Sequence, residues 1–288
     1  VITHPEKVLF PDDGITKGEV AEYYRLVAPL LIPQVVGRPV TMERFPRGID
    51  AKGFLQKNVV RGFPAWLERV EVPKKGGTVH YPLIMDERSL EWVVNQNTIT
   101  PHVWSSRVPH LDRPDLCIFD LDPSSENDDT LVESALALRD LLAELSLPCW
   151  VKTSGSKGFH IVIPLEGGAG ARLAGRFAEA VAQELVRREP RHLTLAFSKA
   201  DRGGRILVDV GRNNPGATFA AVYSIRARRG APVSAPCSWK EVEQGKAHPR
   251  AFTLRDMPAR LASAGDLWGD LASRGQSLRA ALRQLAGA

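Results

Sequence analysis

The sequence predicts an α+β protein: an RRM-like (split-βαβ) module over residues 106–288, ending in a helical tail, fused to an N-terminal mixed α/β module over residues 1–105. Three observations support this. Between about residues 114 and 210, apolar runs and amphipathic stretches follow one another as β-α-β-β-α-β, with an extra hairpin at the end. Two of those segments carry apolar residues at helical spacing. Before residue 105, Pro and Gly cut the chain into short apolar runs, the pattern of several short strands.

The N-terminal module opens with Thr16 three residues ahead of Glu19, the spacing of a helix start, and Val20, Tyr23, Tyr24 and Val27 then recur on one helical face. Short apolar runs follow at 40–42 and 90–94. In the second module, 116–122 reads as a strand ending in acids. Residues 129–145 form an amphipathic helix with Leu131, Leu138, Leu141, Leu142 and Leu145 on one side. Segments 149–152 and 159–164 are strands around a Gly-rich turn. A second helix over 171–187 carries the stripe Leu173, Phe177, Val181 and Leu185, and 193–197 and 205–210 are strands again. The tail after Pro232 holds short helical pieces at 239–242 and 261–282, the latter broken near Gly275.

Composition sets the class. The chain has 288 residues, 43% hydrophobic and 25% charged, enough to bury a substantial core. No apolar run is long enough to span a bilayer, and no signal peptide is present, so a membrane role is excluded. A start at Val1 rather than Met reads as a piece excised from a longer chain. Cys117, Cys149 and Cys237 are few, odd in number and outside any C-x-x-C pair, which argues for a reducing compartment and against a disulfide framework or a zinc site. There is no H-E-x-x-H and no G-x-S-x-G. Lys and Arg total 38 against 33 Asp and Glu, a surplus of +5, which leans toward a nucleic-acid partner.

The chemistry concentrates in three places. In CIFDLDP, alternate side chains of a strand share a face about 6.5–7 Å apart, so Asp120 and Asp122 point one way and Phe119 and Leu121 the other. Two like charges ~4 Å apart cost about 4 kcal/mol at an effective dielectric near 20, a cost that a divalent cation reverses. In RILVDVGRN, Asp209 is an acid within an otherwise apolar strand, expensive unless paired or metal-bound. Three oxygen donors on neighbouring strands suit Mg²⁺ or Mn²⁺ and a two-metal phosphoryl transfer. D-x-D alone more often ends a strand or caps a turn; the third acid and the next motif tip the balance. In VKTSGSKGFHIVIP, Gly155 and Gly158 allow a tight turn that presents N–H groups, with Ser154, Ser156, Lys157 and His160 as further donors to a triphosphate. The plain alternative for this segment is a hairpin turn with an incidental lysine.

The order D-x-D, S-G-S-K-G-F-H, then a strand acid resembles the archaeo-eukaryotic primase superfamily and its primase-polymerase fold. THPEKVLFP, GITKGEVAEYY, GRPVTMERFPRGID, FDLDPS, TSGSKGFHIVIPL, VDVGRN and YSIRAR resemble, across nearly the whole chain, the polymerase domain of bacterial ligase D, a multifunctional end-joining ligase. The resemblance implies that 1–288 is one polymerase domain that adds NTPs, and less readily dNTPs, to DNA ends in non-homologous end joining. It implies two divalent ions, Mn²⁺ preferred over Mg²⁺, on Asp120, Asp122 and Asp209. It implies nucleotide contacts from His102, Ser154, Lys157, His160 and Arg226, a grip on the downstream 5′-phosphate by Lys7 and Lys17, and stacking of Phe54 on a template base. As partners it implies DNA ends, a flanking ligase domain and an end-binding protein such as Ku, in the bacterial cytoplasm at the nucleoid. His4 stands where many members have Asn, and Phe54-Leu55 where some have two adjacent aromatics.

The residues alone allow plainer readings: Lys7 and Lys17 as solvated lysines, Phe54 as core, His102 as a satisfied core histidine, and Arg226 as part of a basic face with Arg228 and Arg229. As whole functions, the rivals are a non-catalytic RRM-like module that binds nucleic-acid ends, a nucleotide cyclase, and a dedicated primase. A binding module of that type shows exposed aromatics on its central strands, where this chain carries acids.

Overall fold

Residues 1–59, 62–125, 129–167 and 170–286 are described in the computed structural model, and the chain divides into two units. The first comprises Val1–Pro109, Thr218–Ala235 and Phe252–Asp266; the second comprises His110–Ala217, Pro236–Ala251 and Leu267–Ala288.

In the first unit, a ribbon of β1 (Val8–Phe10) and β2 (Ile15–Thr16) feeds α1 (Lys17–Val35). The capping box is present: the Thr16 hydroxyl accepts from the Glu19 N–H at 3.2 Å, and the Glu19 carboxylate accepts from the Thr16 N–H at 2.9 Å. The stripe Val20, Tyr23, Tyr24 and Val27 is buried. Next come β3 (Val40–Arg44), β4 (Phe54–Gln56), the hairpin β5 (Arg69–Lys74) and β6 (Gly77–Pro82), α2 (Glu87–Asn95) and β7 (Thr98–Val103). The apolar run 90–94, expected among short strands, lies inside α2. Its determinant is Asp86, whose carboxylate accepts from the Ser89 N–H at 2.7 Å and caps a helix start.

In the second unit, β8 (Leu116–Asp122), α3 (Leu131–Glu144), β9 (Trp150–Thr153), β10 (Phe159–Pro164), α4 (Ala171–Arg188), β11 (Leu193–Thr194) and β12 (Ile206–Asp209) follow in that order. The chain then supplies β13 (Phe219–Ala220) to the first unit, β14 (Pro236–Cys237) and α5 (Trp239–Glu243) to the second, α6 (Met257–Ala264) to the first and α7 (Arg279–Ala286) to the second. The first unit's main sheet has the order β13-β7-β3-β4, and the second unit's β11-β12-β8-β10-β9-β14. Its four central strands, β12-β8-β10-β9, are mutually antiparallel in the order 4-1-3-2 of a split βαβ module. Helices α3 and α4 cover one face, where Phe119 meets Phe177 edge-on at 6.4 Å above buried Leu138 and Val181. The residues of the opposite face remain for chemistry.

Four more sequence expectations are corrected. The expected strand 193–197 stops at Thr194, because the Thr194 hydroxyl accepts from the Ala196 N–H at 3.1 Å and turns the chain out of the ladder, leaving Leu195 and Phe197 exposed. It runs parallel to β12 and so forms no hairpin with it. The helical stretch 261–282 is interrupted earlier than Gly275, at Gly265, whose φ of +65° lies in the left-handed region that ends helices. Finally, segments 218–235 and 252–266, assigned by sequence to the 106–288 module, cluster with the first unit. Tyr23 and Tyr24 fasten one of them there: the Tyr23 hydroxyl donates to the Tyr223 carbonyl at 2.7 Å, and the Ile225 N–H donates to the Tyr24 hydroxyl at 3.1 Å. Among the described residues, no helix is long and apolar enough to cross a membrane.

Candidate active site

The second unit gathers the acids by strand register. Asp209 of β12 lies opposite Asp120 of β8, Asp120 lies opposite His160 of β10, and His160 lies opposite Lys152 of β9. Cross-strand partners share a face, so Asp209, Asp120, His160 and Lys152 form one row, with Asp122 on the same face one strand repeat along. The His160 Nε2 is 3.5 Å from Asp120 Oδ1. Lys152 is wholly buried; sequence reasoning gave it no role.

Two arginines that sequence reasoning also passed over hold these acids. Arg212 brings Nε to 3.3 Å from Asp120 Oδ2 and Nη2 to 3.5 Å from Asp209 Oδ2, so one guanidinium is shared by both. Arg202, 3% exposed, brings Nη1 to 3.0 Å from Asp122 Oδ2. The other Asp209 oxygen, Oδ1, accepts from the Gly211 N–H at 2.8 Å. Burial pushes the Asp120 carboxyl up to about 6; Arg212 and Lys152 pull it down, and the Asp209 and Asp122 charges push it further up. The pair Asp120–Asp209 thus shares one guanidinium, and the carboxylate oxygens it bridges are the donor type a hard cation takes. Among the described residues no three His, Cys, Asp or Glu side chains converge on a single point; Asp122 is drawn toward Arg202 instead.

The loop between β9 and β10 is tightly locked. The Ser154 hydroxyl oxygen accepts from the N–H groups of Ser156 (3.1 Å) and Gly158 (3.0 Å), and the Ser154 N–H donates to the Gly158 carbonyl at 2.9 Å. Gly155 is left-handed at φ +66°. Gly158 passes so close to β8 that a Cβ there would lie 1.6 Å from the Leu121 carbonyl oxygen. Arg250 donates Nε–H to the Ser156 carbonyl at 2.9 Å, and Lys157 stays partly exposed at the turn. The loop is a closed turn packed against the strand that bears the acids, and the N–H groups of Ser154, Ser156 and Gly158, expected from the sequence to face an anion, are bonded within it.

His102, Arg226, Lys7, Lys17 and Phe54 belong to the first unit. His102 on β7 meets Glu43 on β3, Nε2 to Oε2 at 3.0 Å. Burial raises the Glu43 pKa, but the hydrogen bond and charge of His102, with Arg226 and Thr100, hold it below the usual carboxylate value. Arg226 donates its N–H to the Pro232 carbonyl at 2.7 Å, and the Thr100 hydroxyl secures the preceding Ile225 carbonyl at 2.7 Å. Lys17 is 2% exposed and donates to the Thr3 carbonyl (2.9 Å) and Asn95 Oδ1 (2.8 Å), while Lys7 donates to the Pro46 carbonyl. Burial lowers the Lys17 pKa, and the charges of Lys7 and Arg44 lower it further. Phe54 and Leu55 are exposed at 47% and 65%, with the Arg44 guanidinium 5.3 Å from the Phe54 ring centroid. His4 is exposed at a φ of +52°.

Residues 16–268 match the family model of the LigD primase-polymerase domain. A multifunctional non-homologous end joining protein LigD from Mycolicibacterium smegmatis is 37% identical over 275 residues, which is 94% of this chain and 36% of that protein. The Pseudomonas aeruginosa protein of the same name is 34% identical over 293 residues, 99% of this chain and 34% of its own length. The chain therefore spans about a third of the curated relatives it matches. Among solved structures, the polymerase domain of Mycobacterium tuberculosis ligase D in complex with DNA superimposes with a TM-score of 0.89 at 34% identity, over 96% of this chain and 99% of that one.

Proposed function

Because the chain belongs to the LigD primase-polymerase domain family, a family of nucleotidyltransferases, we propose that it extends primers and fills gaps at DNA breaks in non-homologous end joining, copying a template and adding NTPs in preference to dNTPs. The observation that carries this reading is the carboxylate row of β12 and β8, two acids sharing one cation with a third acid one strand repeat away.

In this reading Asp120, Asp122 and Asp209 hold two divalent ions, Mn²⁺ or Mg²⁺. Bound there, the ions would supply activation of the primer 3′-hydroxyl and neutralisation of charge on the reacting phosphates. The chain's own residues do the rest. Arg212, now shared by Asp120 and Asp209, is the cation that the ions would displace from these acids. Ser154, Lys157 and His160 orient the triphosphate from a loop that is already rigid, so catalysis is mainly positioning and preorganised charge. His102 and Arg226 take the nucleotide contacts that their motifs imply.

Lys7 and Lys17 take the downstream 5′-phosphate. Burial first, and then the charges of Lys7 and Arg44, disfavour the Lys17 cation, a cost that a phosphate dianion beside it would offset. Phe54 stacks on a template base, in keeping with its exposure. A flanking ligase domain and an end-binding protein such as Ku complete the setting, in the bacterial cytoplasm at the nucleoid.

Gap-filling with each metal, with ribo- and deoxynucleotides, and with or without a 5′-phosphate tests the proposal. Asp120→Ala with Asp122→Ala should abolish extension and preserve DNA binding. Extension by that double variant would overturn the reading.

A further inference from the structure

The backbone that leads into Arg226 is bent against the preference of its own residues. Tyr223, 1% exposed, has a φ of +63°. That left-handed conformation is unfavourable for a bulky side chain and persists only where the surroundings over-determine it. Three hydroxyls from α1 and β7, all within the first unit, hold this stretch. The Tyr23 hydroxyl donates to the Tyr223 carbonyl at 2.7 Å. The Tyr24 hydroxyl accepts from the Ile225 N–H at 3.1 Å and donates to the Ile99 carbonyl of β7. The Thr100 hydroxyl donates to the Ile225 carbonyl at 2.7 Å. Both polar groups of Ile225 are thus held by side chains, and Tyr24 links that residue to the strand that carries His102.

The clamp is dry: Tyr24 is 1% exposed, and Thr100 and Ile225 are fully buried. A hydroxyl in such a place stabilises only while its hydrogen bonds are made, because an unpaired one costs its full desolvation. Phe and Val would fill the same space without that demand. The chain regains partial exposure at the very next residue, Arg226, whose N–H closes on the Pro232 carbonyl at 2.7 Å. Burial raises the Glu43 pKa, and the charges of His102 and Arg226 then lower it, so the guanidinium lies within electrostatic reach of that pair. A guanidinium can search only the space its backbone gives it, and here the preceding peptide is fixed on both sides.

We infer that Tyr24 and Thr100 are positioning residues, whose hydroxyls set where the Arg226 guanidinium stands for the incoming nucleotide. The assignment rests on the reading of Arg226 as a nucleotide contact.

The test is NTP insertion at a primer terminus, with KM and kcat determined separately. Tyr24→Phe removes one oxygen and keeps the ring. It should raise the nucleotide KM about 3- to 10-fold, the worth of one hydrogen bond, and leave kcat near the wild-type value. A merely structural role would reduce the fraction of active enzyme, which lowers kcat and leaves KM alone. Thr100→Val should raise KM in the same way, and Thr100→Ser, which keeps the hydroxyl, should restore it. This second pair decides the matter if Tyr24→Phe does not fold. On an Arg226→Gln background Tyr24→Phe should raise KM no further, because the group it positions is gone.

A further rise by the same factor on that background would overturn the proposal. So would a fall in kcat at unchanged KM in Tyr24→Phe and Thr100→Val, or Thr100→Ser behaving as Thr100→Val does. Arg226→Gln alone separates the two readings. An unchanged KM there removes the nucleotide role of Arg226 and the proposal with it. A raised KM there, with wild-type KM in Tyr24→Phe and Thr100→Val, removes the positioning role alone.

Discussion

Asp120 shows how one side chain encodes both a cost and a use. Its carboxyl sits at about 6, above its ordinary value, because burial and the neighbouring acids outweigh Arg212 and Lys152. Between about pH 4 and 6 the folded chain therefore holds more protons than the unfolded one, and stability falls as pH rises through that window. Without metal, Asp120→Asn should remove that slope and add about 2–3 kcal/mol at pH 7, read by urea unfolding in EDTA at pH 4.5 and pH 7. An unchanged slope would show that the charge is fully compensated. The acids themselves were legible in the sequence, since strand alternation alone puts Asp120 and Asp122 on one face. Arg202 and Arg212 were not, because a long guanidinium chooses its partner by reach across strands. Lys17 was read by default as a solvated lysine, and only the packing of Thr3 and Asn95 around its Nζ reveals a buried one.

At the level of elements, the β9–β10 segment was legible as a tight Gly-rich turn, but the reason for its glycines was only half visible. Gly155 is needed for a left-handed φ, whereas Gly158 is needed because β8 passes beneath it. Gly158→Ala should cost about 3 kcal/mol, at the upper end of overpacking penalties, and shift the urea midpoint accordingly. A midpoint within 0.5 kcal/mol of wild type would mean that the loop can lift off Leu121. The stretch 193–197 misled in the other direction: alternating apolar residues look like a strand whether they face a core or water, and a single hydroxyl at Thr194 decides the matter. Capping chemistry was the more reliable guide. Thr16 and Glu19 were readable three residues apart, while the Asp86 cap of α2 was overlooked in favour of the apolar run that follows it.

For the whole molecule, the surplus of 38 cations over 33 anions lies in the first unit, the unit of Lys7, Lys17 and Arg44. Lys17→Met should reduce the preference for a 5′-phosphorylated gap over an unphosphorylated one about tenfold, the worth of one charge-assisted hydrogen bond. Taking the ratio of the two affinities cancels any general loss of stability. A wild type indifferent to the phosphate would remove Lys7 and Lys17 from the proposal. The central four-strand order was legible because it follows from local alternation and helix periodicity. The return of 218–235 and 252–266 to the first unit was not, since short segments such as Phe219–Ala220 join a sheet by long-range pairing with Val103 and His102 that leaves no local trace. These returns make the polypeptide pass from one unit to the other five times. A recombination event between related genes would need five matched breakpoints to exchange either half alone, so no single crossover can swap one unit intact.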